Sequence, residues 1–367
     1  MLYVLHHLAM PDTVLTVFNI FRYITFRAAM AAMSSFLLVI VLMPIFIKVM
    51  RNKGLTDDPG KSDSDFVREK HAGKKGVPTM GGAVAAAAVI VSGFLWARID
   101  NNLAFYGIFL FLGFALLGFA DDYRKVRYPG VKGLSIKAKL AGQVVLGAAG
   151  ALIIMSEGGK YADTVSIPLV KPEIFLPHLG AWFAFWGMFV LVAYSNSVNL
   201  ADGLDGLAGG LLLEVTAVAA LLAYVAGHAG LSAYLQVPSV PQAGELMVLG
   251  MAAVGALLGF LWFNAHPADV FMGDTGSLSF GALCGYIGLA AKQELLLVVT
   301  AAILVFEALS VLLQIVSFRF FGKRIFLVAP FHHHLERKGW PEQKIVVRLW
   351  LAGAVAAVLS LSLLKVR

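Results

Sequence analysis

Charge is scarce in this chain. Only 14% of its 367 residues are Asp, Glu, Lys or Arg, while 59% are hydrophobic; soluble domains carry roughly 25% charged residues. The mean hydropathy is +0.81. A soluble core of this length cannot hide so much apolar surface, so lipid must solvate much of it. Cysteine is scarcer still: Cys284 stands alone inside an apolar run, which excludes an internal disulfide and leaves the redox compartment open. The N-terminus lacks a basic n-region and a small-residue cleavage site, so no cleaved signal peptide is expected. Coiled-coil, low-complexity and short-period repeat patterns are missing too, and residues 1–367 read as one polytopic membrane domain. The net charge of +7 falls in loops between apolar runs, so it points to membrane topology and not to a nucleic-acid partner.

What the chain has in abundance is apolar runs of membrane-spanning length, about 20 residues each. Ten occur, near 27–48, 79–97, 103–120, 139–156, 180–198, 206–226, 245–263, 276–291, 295–317 and 345–364. They predict an all-α integral membrane protein of ten transmembrane helices. The eighth run is short and rich in glycine. Residues 1–21, interrupted by Pro11, Asp12 and Asn19, read as an interfacial segment. Loops 51–78, 121–138 and 318–344 are rich in Lys and Arg, whereas 98–102, 157–179 and 227–244 are poor. The basic loops are therefore expected in the cytoplasm and both termini outside. Segment 157–179, with β-branched residues and prolines, predicts a small hairpin on the outer surface.

The unusual polar clusters fall at the cytoplasmic ends of these runs, in segments 51–78, 121–138, 196–206, 264–276 and 318–344. Asp121 and Asp122 follow the run that ends Gly118-Phe119-Ala120. Two carboxylates at a helix C-terminus oppose its dipole and call for a cation, from a metal or a basic neighbour; a solvated helix end is the plain alternative. In SNSVNLADGLDG, Asn196, Asn199, Asp202 and Asp205 recur every third residue along one helical stripe, with glycines that admit backbone or ligand. FNAHPADVFMGDTGS crowds Asn264, His266, Asp269, Asp274, Thr275 and Ser277 before the next run. Simple N-capping explains such residues, and so does a phosphate held at a helix start; no Gly-Lys-Ser/Thr follows, so it is not a Walker A loop. His332, His333 and His334 cannot all meet one metal on a regular helix, where each step turns about 100°, but when protonated or suitably tautomerised they can donate to phosphate or substrate oxygens. His71, Lys74 and Lys75 precede PTMGG; lysines there ordinarily set topology or meet lipid head groups. Carboxylates, amides and basic groups together suit Mg²⁺ on a diphosphate, because Mg²⁺ prefers a few carboxylates plus phosphate oxygens.

Five stretches carry a specific resemblance: PTMGG at 78–82, Asp121-Asp122, NLADGLDGLAGG at 199–210, FNAHPADVFMGDTGSL at 263–278 and PFHHHLE at 330–336. In this order, from about residue 70 to 340, they resemble the phospho-N-acetylmuramoyl-pentapeptide transferase family, among the polyprenyl-phosphate N-acetylhexosamine-1-phosphate transferases. The resemblance implies transfer of phospho-N-acetylmuramoyl-pentapeptide from its UDP carrier to undecaprenyl phosphate, giving lipid I and UMP. It implies a Mg²⁺-dependent enzyme, multi-pass in the lipid bilayer of the bacterial inner membrane, facing the cytoplasm and homodimeric. By the same resemblance Asp121, Asp122 and Asp274 are catalytic, with Asp274 the Mg²⁺ ligand. Asp122 would stay close to the phosphates and Asp121 would activate the lipid phosphate. Asn199, Asp202, Asp205, Asn264 and Phe271 match the nucleotide side. Lys74, Lys125 and Lys137 match basic positions expected to hold phosphates, Thr79 a substrate-binding position, His332–His334 the triple-histidine loop, and Gln314 the border of a lipid-tail groove. Val77 departs from the usual Thr before PTMGG, and TDDPGKSDSDFVREK is longer and more charged than usual.

Two rival readings remain. A sister transferase of N-acetylglucosamine-1-phosphate would share the aspartates, although His332–His334 followed by Leu335-Glu336 favours the muramoyl enzyme. A transporter would use Glu214, Glu307 and Gln314, which lie inside apolar runs; yet the polar stripes sit at one face, whereas transport sites lie near mid-membrane.

Overall fold

A computed structural model describes residues 1–10, 13–56, 65–70, 74, 76–128, 131 and 133–366. All ten apolar runs are helical there, as hydrocarbon demands when each backbone N–H and C=O must find a partner within its own segment. The helices are α1 (Ile24–Asn52), α2 (Asp65–Lys70), α3 (Gly81–Trp96), α4 (Asn102–Arg127), α5 (Ile136–Glu157), α6 (Trp182–Ala201), α7 (Leu207–Gly227), α8 (Ala229–Leu235), α9 (Leu246–Asn264), α10 (Gly273–Ala290), α11 (Glu294–Thr300), α12 (Ala302–Phe321), α13 (Phe331–Arg337) and α14 (Glu342–Leu363).

Among the described residues, eight helices are long and apolar enough to cross a membrane: α1, α4, α5, α6, α7, α9, α12 and α14. The other two runs differ for physical reasons. Helix α3 has only 16 residues and is shielded by α1, α9 and α10. Helix α10 carries Gly, Ser and Thr and is buried from Asp274 to Ala290. The run 295–317 is not one helix, because the chain breaks at Ala301 between α11 and α12. Side chains tie this break to α14: Thr300 Oγ1 donates to Ser360 Oγ at 2.7 Å, and Ser360 Oγ donates to the Leu296 carbonyl at 3.2 Å.

Helix α10 is the axis of the bundle, packed by α3, α4, α6 and α7. Small residues set how closely the helices approach. A side chain at Gly118 on α4 would collide with the Asp274 carbonyl of α10, so glycine there lets the two acidic segments meet. The expected hairpin in 157–179 takes a reduced form: one antiparallel bridge, Thr164 to His178, with no strand among the described residues. The segment before α1 holds two 3-10 helices, Leu2–Leu8 and Val14–Arg22. The Met1 amine donates to the Phe94 carbonyl at 2.8 Å, and Lys365 Nζ donates to the Tyr234 carbonyl at 3.4 Å. Both contacts lie at the end of the bundle opposite Asp121 and Asp274.

Candidate active site

The N-terminus of α10 is the construction point. The first N–H groups of a helix have no partner within it, and when buried they need acceptors from elsewhere. Asp122, at the far end of α4, supplies them. Its Oδ1 accepts from Asp274 N at 3.0 Å, and its Oδ2 accepts from Thr275 N at 2.8 Å and Thr275 Oγ1 at 2.7 Å. Asp202, capping the C-terminus of α6, accepts from the Gly273 N–H. Burial, then the charges of Asp274 and Asp122, raise its pKa to about 7 against that hydrogen bond.

This capping brings Asp121, Asp122 and Asp274 together. All three are buried, and they offer oxygens within 4.8 Å of one another. Lys125 Nζ lies 2.5 Å from Asp121 Oδ2 and 3.2 Å from Asp274 Oδ2. Lys139, on the first turn of α5, forms an ion pair with the same Asp274 oxygen. Asn199 Nδ2 donates to Asp274 Oδ1 at 2.8 Å and to Ser277 Oγ at 3.0 Å. The Leu134 N–H donates to Asp121 Oδ1 at 2.7 Å. Two ammonium groups thus face three carboxylates.

The lysine set departs from the expectation. Lys137 is exposed; Lys139, two residues and about 200° of helical turn away, faces the aspartates. The only hint of Lys139 in the sequence is a charge on the first residue of an apolar run. Thr79 is half-buried beside Gly273 and Asp122. Asn196 points away, donating to Gln143 Oε1 at 3.1 Å. His71, Lys75 and most of the charged stretch 55–73 lie outside the described residues.

A second cluster adjoins Asp205. Lys74 Nζ donates to Asp205 Oδ1 at 2.7 Å and to Glu342 Oε1 at 2.6 Å. His266 Nδ1 lies 3.0 Å from Asp205 Oδ2, and the Asp205 N–H donates to Glu342 Oε1 at 2.8 Å. Glu342 was not foreseen; it reaches Lys74 across 268 residues. Asn264 joins the loops, accepting from the Gly206 N–H at 3.0 Å and donating to the Val270 carbonyl at 2.8 Å. Phe271 donates its N–H to the Pro78 carbonyl at 2.8 Å, and its own carbonyl accepts from Gly81 N at 2.8 Å. Asp269, exposed, pairs with Arg51 at 3.4 Å.

The three histidines take three separate partners. His332 Nδ1 meets Glu307 Oε2 at 3.1 Å and His333 Nδ1 meets Glu336 Oε2 at 2.6 Å. His334 Nδ1 accepts from the Leu327 N–H at 3.1 Å; burial, then Lys338, lower its pKa and favour that neutral ring. Gln314 Oε1 accepts from the N–H groups of Ile325 at 3.1 Å and Phe326 at 2.9 Å. Beside it runs an open groove of about 770 Å³, lined by Phe66, Val311, Ile315, Phe318, Arg324 and Arg337 among others.

The bundle thus joins apolar helices of membrane-spanning length to a buried acid–lysine cluster at one end. The family model for glycosyl transferase family 4 matches residues 104–292. Phospho-N-acetylmuramoyl-pentapeptide-transferases of Desulfotalea psychrophila and Pelobacter propionicus are each 45% identical to this chain. The first match covers 99% of both chains; the second covers 99% of this chain and 100% of the relative. The enzyme of that name from Maridesulfovibrio salexigens is 45% identical over 95% of this chain and 96% of its own. The chain belongs to glycosyl transferase family 4 and, within it, to the phospho-N-acetylmuramoyl-pentapeptide-transferase family.

Proposed function

We propose that the chain transfers phospho-N-acetylmuramoyl-pentapeptide from its UDP carrier to undecaprenyl phosphate, producing lipid I and UMP. The observation that carries this reading is the meeting of Asp121, Asp122 and Asp274 with Lys125 and Lys139 at one end of the bundle. The sugar-bearing phosphorus exchanges its bond to the UMP oxygen for a bond to an oxygen of the lipid phosphate. Asp121, within reach of Lys125, activates the lipid phosphate. Lys125 and Lys139 draw the negative charge of the phosphates. Asn199, Asp202, Asp205 and Lys74 form the nucleotide side, and the groove beside Gln314 takes the start of the lipid tail.

Mg²⁺ is the cofactor in this reading. The donor set fits it: carboxylate oxygens only, close together, with no sulfur or imidazole among them. Asp274 and its acidic neighbours would hold the ion, which supplies charge stabilisation for the leaving phosphate when bound. The reading places ten spans in the bacterial cytoplasmic membrane, with both termini outside, the site at the cytoplasmic face and the enzyme as a homodimer.

The test incubates purified protein with undecaprenyl phosphate, Mg²⁺ and either the muramoyl nucleotide or an N-acetylglucosamine nucleotide. UMP release with the first alone is expected; release with the second alone would transfer the chain to the sister activity. Sidedness is checked with single cysteines at Lys53 and Glu173, both exposed, and an impermeant thiol reagent on intact cells. The cysteine at 173 should label and that at 53 should not.

A further inference from the structure

Two buried polar atoms at the site end have no partner: His332 Nε2 and Glu307 Oε1. Their residues form a closed pair. His332 and Glu307 are each 0% exposed, and Glu307 Oε2 receives both the His332 backbone N–H at 3.3 Å and the ring Nδ1 at 3.1 Å. A carboxylate facing Nδ1 fixes the ring through that nitrogen and turns Nε2 to the opposite side. That Nε2 abuts Gly203, where an added side-chain carbon would collide with it. Gly203 directly follows Asp202, whose carboxylate meets the N-terminus of α10. Helix α12, helix α13 and the turn after α6 are thereby locked at one point.

We infer that Glu307 is a positioning residue for sugar-nucleotide binding, acting through His332 to hold the Asp202–Gly203 turn. This rests on the proposed transfer reaction and deepens it. The carboxylate inside an apolar run is then a buttress for the site, with no transport role. Glycine at 203 is the space the imidazole requires. Removing Glu307 leaves a buried imidazole with neither nitrogen matched, and the ring can rotate away from the turn.

The test compares Glu307→Ala, Glu307→Gln, His332→Ala, Gly203→Ala and the Gly203→Ala/His332→Ala double variant, each in full-length protein in detergent. KM for the muramoyl nucleotide, KM for undecaprenyl phosphate and Tm are measured. Glu307→Ala should raise the nucleotide KM about tenfold, as loss of one buried hydrogen bond implies, and leave the lipid KM unchanged. Glu307→Gln keeps an oxygen that can accept from Nδ1 and should recover most of that loss. Gly203→Ala should raise the nucleotide KM similarly, and the double variant should be no worse than His332→Ala, because the collision is gone. A lower Tm with unchanged nucleotide KM in Glu307→Ala would overturn the inference, as would equal shifts for both substrates. If Glu307→Ala does not fold, a Gly203→Ala protein with wild-type nucleotide KM would overturn it. Failure of the wild type to release UMP from the muramoyl nucleotide would instead sink the reaction itself.

Discussion

The two ends of the bundle both bury charge, in opposite ways. At the far end Arg27 pairs with Glu245, and backbone groups add to the pair, although Arg27 Nε is left without a partner. Arg27 donates to the Trp96 carbonyl at 3.0 Å and to Glu245 Oε2 at 3.0 Å, while the Arg98 N–H donates to Glu245 Oε1 at 2.8 Å. One cation answers one anion, and α1, α3 and α9 are pinned. At the site end two lysines answer three aspartates. A balanced buried pair stabilises a fold only when each partner is present; an unbalanced cluster has affinity left over for a cation. The first closes on itself; the second is where the proposed reaction places its cation and phosphates.

The sharpest way to break this contrast is Asp274→Asn. Turnover should fall about a thousandfold, the several kcal/mol a metal centre supplies, with little change in Tm; UMP release across a Mg²⁺ titration checks it. Arg27→Ala should do the reverse. An unpaired buried Glu245 costs about 3–5 kcal/mol, so thermal unfolding should shift strongly while the folded fraction keeps its specific activity.

Lys139→Ala comes next. Truncating one partner of a buried charge pair costs about 2–5 kcal/mol, so about a hundredfold in kcat/KM is expected, whereas Lys137→Ala should stay near wild type. The reverse ranking would favour the position assigned by resemblance over the geometry.

These residues mark how far the sequence could be read. Apolar runs were legible because membrane spans impose a length on the chain, and each run is helical. The break at Ala301 was not, since it is held by Ser360 of another helix. The aspartates were visible as motifs. The partners that aim them, Lys139 and Glu342, sit on helix faces whose neighbours are decided by packing 135 and 268 residues away in sequence. Glu307 was visible but its direction was not: a carboxylate in an apolar run reads as a transport mark until its histidine is seen.

A smaller effect concerns pH. Burial and two neighbouring carboxylates raise the Asp202 pKa to about 7 from 3.8. Its contribution to stability is therefore full below about pH 3.8 and falls as pH rises to about 7, because the unfolded chain releases the proton first. Tm measured from pH 5 to 8 should decline in the wild type, and Asp202→Asn should remove part of that slope. A slope unchanged by Asp202→Asn would show the group is not protonated near neutrality. The smallest effect expected is from Gln314→Ala, which frees the Ile325 and Phe326 N–H groups. A few-fold rise in KM for the lipid phosphate, in line with one or two exposed hydrogen bonds, would separate a loop tether from a direct lipid contact, where the loss should be larger.

Helix α10 touches protein along its length, and this bears on how the molecule is made. Its glycines, two serines and threonine give it little appetite for lipid, and alone it would be a poor candidate for membrane insertion. Its principal neighbours α3, α4, α6 and α7 all precede it in the chain. Since chains emerge from the ribosome N-terminus first, the walls of its berth are synthesised before the helix that fills it. Birth order does for α10 what hydrophobicity does for the others, and a circular permutation that placed α10 first would be expected to strand it.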